Sequence, residues 1–144
     1  MSKVKAVCVS EEKGTVKKPV DQISLKEDWG IEGDAHAGHW HRQVSLLANE
    51  SVDKMREKFP DLPAGVFAEN ILTEGIEVFT IPVGSHILVG DTELEVTQIG
   101  KKCHKGCEIR NIVGDCVMPR EGIFTKVIKG GIIKPEDEIK LIEG

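Results

Sequence analysis

Ser85-His-Ile-Leu-Val-Gly-Asp-Thr-Glu-Leu-Glu-Val-Thr-Gln-Ile99 consists of two strand-forming runs joined at Gly90-Asp91. Apolar and polar residues alternate in both runs, which is the period of a half-buried strand, and glycine beside aspartate is the turn chemistry of a hairpin. The same pattern recurs in both directions. Lys3-Val-Lys-Ala-Val-Cys-Val-Ser10, Thr15–Val20, Arg42–Leu47, Asn70–Thr73, Ile123–Ile128 and Glu138–Ile142 read as further short extended pieces, with turns expected at Gly14 and at Gly130-Gly131. Trp29-Gly-Ile-Glu-Gly-Asp-Ala-His-Ala-Gly38 carries three glycines in ten residues and reads as a loop that brings backbone close to a ligand. One helix is expected. Asn49 serves as its N-cap, Val52, Met55 and Phe59 line one face, and Pro60 stops it, while Asp53, Lys54, Arg56, Glu57 and Lys58 form a solvated face.

Many short strands with Gly and Pro punctuation and one helix predict a mainly-β, β-barrel-like fold with one or two short helices. A chain of 144 residues fits a single domain, taken here as 1–144, and no repeat, linker or low-complexity segment interrupts it. The formal charge of −5 leaves no basic stripe for a nucleic-acid duplex. No apolar run reaches the length of a membrane span, and Met1-Ser-Lys-Val-Lys5 lacks the features of a secretory signal. Neither nucleic acid nor membrane is therefore expected as a partner, and the expected location is the cytoplasm. Thiols stay reduced there, so close-set cysteines point to catalysis or metal binding before a disulfide framework.

Three of the four cysteines fall within fourteen residues, in Cys103-His104-Lys105-Gly106-Cys107 and at Cys116. His104, Lys105, Arg110 and Arg120 make that neighbourhood electropositive, which favours thiolate and hence nucleophilic or metal-ligating sulfur. Cys8, inside Val7-Cys8-Val9, reads instead as a small core hydrophobe. Cys103, Cys107, Cys116 and a histidine would also supply four ligands for a zinc ion, although Cys103 and His104 are awkward neighbours on one tetrahedral ion. A second polar cluster is Gly33-Asp34-Ala-His36-Ala-Gly38-His39-Trp40-His41-Arg42-Gln43. Its histidines match no zinc spacing, so it reads better as a pocket for an anion or a heterocycle. Arg42 would fork onto a phosphate, Trp40 offers a stacking face, and His36 and Arg42 are the residues of choice. Pro119-Arg120-Glu121-Gly122 adds a rigid turn carrying another guanidinium.

Gly33-Asp-Ala-His36, Arg42-Gln-Val-Ser-Leu-Leu47, Gly100-Lys-Lys-Cys-His104 and Gly114-Asp-Cys-Val-Met-Pro-Arg-Glu-Gly-Ile-Phe124, in this order and spacing, resemble a MOSC domain. That module is named after the C-terminal part of molybdenum cofactor sulfurase, and the resemblance covers nearly the whole chain. It implies a β-rich barrel-like fold and binding of the molybdopterin-based molybdenum cofactor. It also implies a reactive cysteine that either carries sulfur for the metal or ligates molybdenum. Carried onto this chain, Cys107 is the first candidate for that catalytic and metal-facing thiol and Cys116 the second. Asp34, His36, Arg42, Gln43, Cys103, His104 and Arg120 are the expected cofactor-binding residues. The chain departs from the family in having Lys101-Lys-Cys-His-Lys-Gly106 where prolines are often found.

The resemblance therefore implies a role in cofactor sulfuration, carriage or delivery. The partner would be a cysteine desulfurase, a molybdoenzyme apoprotein or an electron donor. Two other readings stand beside it: a molybdenum-dependent oxidoreductase acting on N-hydroxylated compounds, and a small zinc-stabilised binding module.

Overall fold

The computed structural model of the protein describes residues 2–10, 17–35, 37–40, 42–57, 64–65, 69–99 and 122–142. Among them the strands are β1 (Lys3–Val9), β2 (Lys18–Val20), β3 (Ile23–Lys26), β4 (Gly30–Ile31), β5 (Val44–Ala48), β6 (Ile71–Glu74), β7 (His86–Val89), β8 (Thr92–Ile99), β9 (Ile123–Lys129), β10 (Gly131–Ile133) and β11 (Ile139–Ile142). One helix, α1 (Asn49–Arg56), follows β5, and a single 3-10 turn spans Val78–Thr80. The fold is mainly β, as the sequence predicts.

Eight strands form one sheet in the order β11-β7-β8-β9-β5-β6-β1-β2. Every neighbouring pair is antiparallel except β5 and β6, whose parallel pairing needs a crossover connection, and α1 lies within it. The β7–β8 hairpin turns at Gly90, where φ is +57°, and registers Val89 against Thr92 as its sequence predicts. The sheet does not close into a barrel by a continuous ladder. Its ends meet instead at an isolated bridge, Lys3 with Glu138, reinforced by Val4 N–H donating to Asp137 O and Glu136 N–H donating to Val4 O, each at 2.8 Å. "Barrel-like" holds in that sense, with β2 extending the sheet past the meeting point.

The interior is apolar and contiguous, with Val4, Val7, Val44, Leu46, Ile71, Ile87, Leu94, Val96 and Ile123 all fully buried. All five residues of β5 are buried because this central strand is covered on both faces, α1 packing against β5 and β6 from outside. Asn49 stands at the first residue of α1. Its Oδ1 accepts from Arg56 Nη1 at 2.8 Å, so the side chain ties the two ends of the helix together. Phe59 and Pro60 lie outside the described residues, as does Gly14.

Three short strands differ from the sequence expectation. β3, β4 and β10 form a second sheet in the order β10-β3-β4, so the glycine-rich stretch contains a strand at Gly30–Ile31, and Gly131 opens a strand where a turn is expected. The reason for Gly130 is steric: a Cβ there would stand 2.4 Å from Leu25 O, so the glycine permits the close approach of β3. Among the described residues no helix is long and apolar enough to cross a membrane.

Candidate functional site

Gln43, fully buried just before β5, organises the glycine-rich loop. Its Nε2 donates to Asp28 Oδ1 at 3.1 Å and to Gly38 O at 2.9 Å, while its Oε1 accepts from Val127 N–H at 2.9 Å. A buried amide satisfied on three sides is a rigid strap, and it fixes the loop to β9. Gly30 lets the loop come this close, since its φ is +126° and a Cβ would meet Gln43 O at 2.9 Å. The far end of the loop is held by Asp34. That carboxylate accepts from Lys17 Nζ at 2.7 Å and from Ser10 N–H at 3.1 Å, and neither the Lys17 nor the Asp34 side chain is exposed. Asp34 thus faces inward and positions the loop against the end of β1.

Arg42 is half-buried where the chain enters β5. Its Nε donates to Gln98 Oε1 at 3.1 Å, and its guanidinium lies 5.2 Å from the centre of the Phe124 ring. These contacts orient the group and leave its fork unspent: among the described residues no acceptor meets the two terminal amines. A preorganised guanidinium with unspent donors is suited to a phosphate or carboxylate. Gln98 pairs with Phe124 and Ile99 with Ile123 across β8 and β9, so β8 ends and β9 begins at this corner.

Beside this corner lies a shallow depression of about 220 Å³ lined by Asp28, His39, Trp40 and Lys126. Lys126 Nζ approaches Asp28 Oδ1 at 3.3 Å, and His39 Nδ1 approaches Asp28 Oδ2 at 3.5 Å. Trp29 meets His39 edge to face with ring centres 5.3 Å apart. The Gln43 amide and then the Lys126 ammonium hold the Asp28 carboxyl below the usual carboxylate range. Asp28 adopts a φ of +50°, a conformation that Asp and Asn tolerate better than other side chains.

Cys8 is buried but stands apart from the main interior cluster, next to polar groups. Cys8 N–H donates to Asn70 O at 2.7 Å, and Asn70 Nδ2 donates to Cys8 O at 3.1 Å. Asn70 Oδ1 in turn accepts from Ser45 N–H and Ser45 Oγ. Burial pushes the Cys8 thiol up, the buried Glu69 carboxylate adds to the effect, and Lys17 offsets part of it. A protonated, enclosed thiol is a poor nucleophile. With the other three cysteines replaced by serine, native protein should resist iodoacetamide at pH 8 and react only when unfolded in urea. Native labelling at the rate of an exposed thiol would refute this.

Of the residues singled out from the sequence, Asp34, Arg42 and Gln43 are described and lie along one stretch from the end of β1 to the β8–β9 corner. His36, Cys103, His104, Cys107, Cys116 and Arg120 lie outside the described residues, as does the proposed zinc set. Among the described residues no group of three or more His, Cys, Asp or Glu is placed to hold a metal ion. Sequence reasoning missed Lys17, Asp28, Glu69 and Lys126. Glu69-Asn70 carries a legible signal, a polar pair at the entry of an apolar strand, and both residues are fully buried.

The model of the MOSC domain family matches residues 33–140. Among curated protein sequences none matches the chain. Solved structures similar to it include the YuaD protein of Bacillus subtilis, with a TM-score of 0.79 at 20% identity over 96% of this chain and 94% of that one. YiiM from Geobacillus stearothermophilus has a TM-score of 0.76 at 17% identity, over 99% of this chain and 76% of that one. YiiM from Escherichia coli has a TM-score of 0.70 at 19% identity, over 100% and 71%. At these identities the likenesses speak for the fold, whereas the family match covers most of the sequence. On that match the chain belongs to the MOSC domain family, a family linked to molybdenum-cofactor binding.

Proposed function

We propose that the chain, as one MOSC domain in the cytoplasm, binds the phosphate-bearing, pterin-based molybdenum cofactor and acts in its sulfuration, carriage or delivery. The observation that carries this reading is Arg42, a half-buried guanidinium fixed by Gln98 and Phe124 whose terminal amines meet no acceptor among the described residues. That donor set fits the phosphate of the cofactor. Arg42 binds the phosphate, Gln98 and Phe124 orient Arg42, and Gln43 and Asp34 hold the adjoining loop in place. Arg120, His36, Cys103 and His104 complete the binding set, and Cys107 is the thiol that faces the metal or carries sulfur, with Cys116 as second candidate. When bound, the cofactor supplies a redox-active molybdenum centre able to accept sulfur. A cysteine desulfurase, a molybdoenzyme apoprotein or an electron donor is the partner.

Co-expression in a cofactor-replete host, followed by elemental analysis and pterin fluorescence of the purified protein, tests this reading. Molybdenum and pterin in equal amounts support it. Stoichiometric zinc without molybdenum would replace it with the zinc-stabilised binding module. Multiple-turnover reduction of N-hydroxylated compounds with an artificial electron donor would make the protein an oxidoreductase. Arg42→Ala should weaken cofactor binding by about 1.5–3 kcal/mol without unfolding the domain, the range for a hydrogen bond to a charged group. Arg42→Lys should recover only part, since an ammonium lacks the bidentate fork. Wild-type affinity in Arg42→Ala would remove Arg42 from the site.

A further inference from the structure

The depression beside Arg42 has a charge pattern of its own. Asp28 Oδ1 is engaged by Gln43 and Lys126, while Oδ2 lies 3.5 Å from His39 Nδ1, and Asp28 and His39 both line the depression. The Asp28 side chain is half exposed, so this second oxygen is open to a ligand as well as to His39. Trp40 lines the same space and supplies an aromatic face. A carboxylate oxygen held at a fixed position beside an indole recognises a flat ring whose edge presents adjacent N–H donors. The carboxylate also lies close to the anion-binding end of the site. Phe124, beneath Arg42, and Lys126, beside Asp28, are two residues apart on one face of β9, a rise of about 7 Å. One end of this span offers unspent donors for an anion and the other an acceptor for a donor edge.

We propose that Asp28 and Trp40 form the subsite that reads a 2-amino-4-oxopyrimidine edge, the donor edge shared by pterins and guanine. The carboxylate accepts from the 2-amino group and the adjacent ring N–H, and the indole covers the ring face. This inference rests on the cofactor reading above and assigns the heterocycle of the ligand to Asp28, opposite the phosphate at Arg42.

The sequence supplies the probe for testing it. Trp29 and Trp40 are the two tryptophans of the chain and there is no tyrosine, so the tryptophan emission of the whole protein comes from Trp40, which lines this depression, and from Trp29, which packs against its His39. Titration with 6-hydroxymethylpterin should quench that emission saturably. Lumazine, which has an oxygen in place of the 2-amino group, turns an acceptor toward the carboxylate and should bind at least about tenfold more weakly. Asp28→Asn keeps the backbone conformation accessible and should weaken the pterin by about 10- to 100-fold with an unchanged thermal melt. Guanosine monophosphate separates the two sources of the edge: the tighter of the two ligands names the one the site is built for.

Equal binding of pterin and lumazine, or wild-type pterin affinity in Asp28→Asn, would overturn the assignment. The phosphate ester of hydroxymethylpterin separates this inference from the reading beneath it. If the ester binds through Arg42 while the unphosphorylated pterin leaves the emission unchanged, the subsite is wrong and the phosphate site stands. If the unphosphorylated pterin binds and the phosphate adds no affinity, the subsite stands and the phosphate role of Arg42 falls.

Discussion

Lys17→Met is expected to lower the unfolding free energy by about 3–5 kcal/mol, measured as a shift of the urea midpoint at unchanged slope. Lys17 Nζ and Asp34 Oδ1 are 2.7 Å apart and neither side chain reaches solvent. Removing the ammonium takes away the charge 2.7 Å from a buried carboxylate, which also accepts from Ser10 N–H at 3.1 Å. The glycine-rich loop held by Asp34 should loosen with it, because Ala35 N–H donates to Ser10 O at 2.7 Å in the same anchor. Replacing both partners with apolar residues, as in Lys17→Met with Asp34→Leu, should recover part of the loss. A Lys17→Met midpoint equal to that of the wild type would show that the pair contributes nothing.

Cys107→Ser should reduce metal retention or sulfur transfer to background, while Cys8→Ser leaves both near the wild-type level. Cys107 has His104, Lys105 and Arg110 within three residues of it along the chain. Cationic neighbours favour the thiolate, which is the form that ligates a metal or attacks sulfur. Cys8 is enclosed, and its thiol is pushed up by burial and by Glu69. Molybdenum content of purified variants and persulfide labelling after incubation with a cysteine desulfurase and cysteine read the two functions separately. Equal loss in folded samples of both variants would contradict the assignment. Loss in Cys116→Ser with a functional Cys107→Ser would move the role to Cys116.

The strands legible in the sequence are those whose partners are close along the chain or whose own period is long enough to read. β7 and β8 pair across Gly90-Asp91, and Thr92–Ile99 alternates over eight residues, so turn chemistry and period agree. β3, β4 and β10 have four, two and three residues and carry no usable period. β3 acquires its strand geometry from β10, with Ile23 paired to Ile133 at a separation that no local rule senses. The site divides in the same way. Arg42 and Gln43 announce themselves as polar residues at the start of an apolar run, whereas Asp28 and Lys126 meet because Asp28 N–H donates to Val127 O at 2.9 Å and Gln43 straps the loop to β9.

By itself the sequence determined the mainly-β class, the hairpin, the helix after β5 and the family. Composition, period and motif order are properties of the chain, and they survive without any knowledge of its path. The tertiary structure decided which of the polar residues turn inward and which outward. Asp34 is buried on Lys17, Gln43 is spent on the loop, Cys8 is enclosed beside Glu69, and the Arg42 terminal amines meet no acceptor among the described residues. Burial and pairing depend on strands brought together from distant parts of the chain, and a carboxylate or thiol takes its chemistry from the neighbours it is given there.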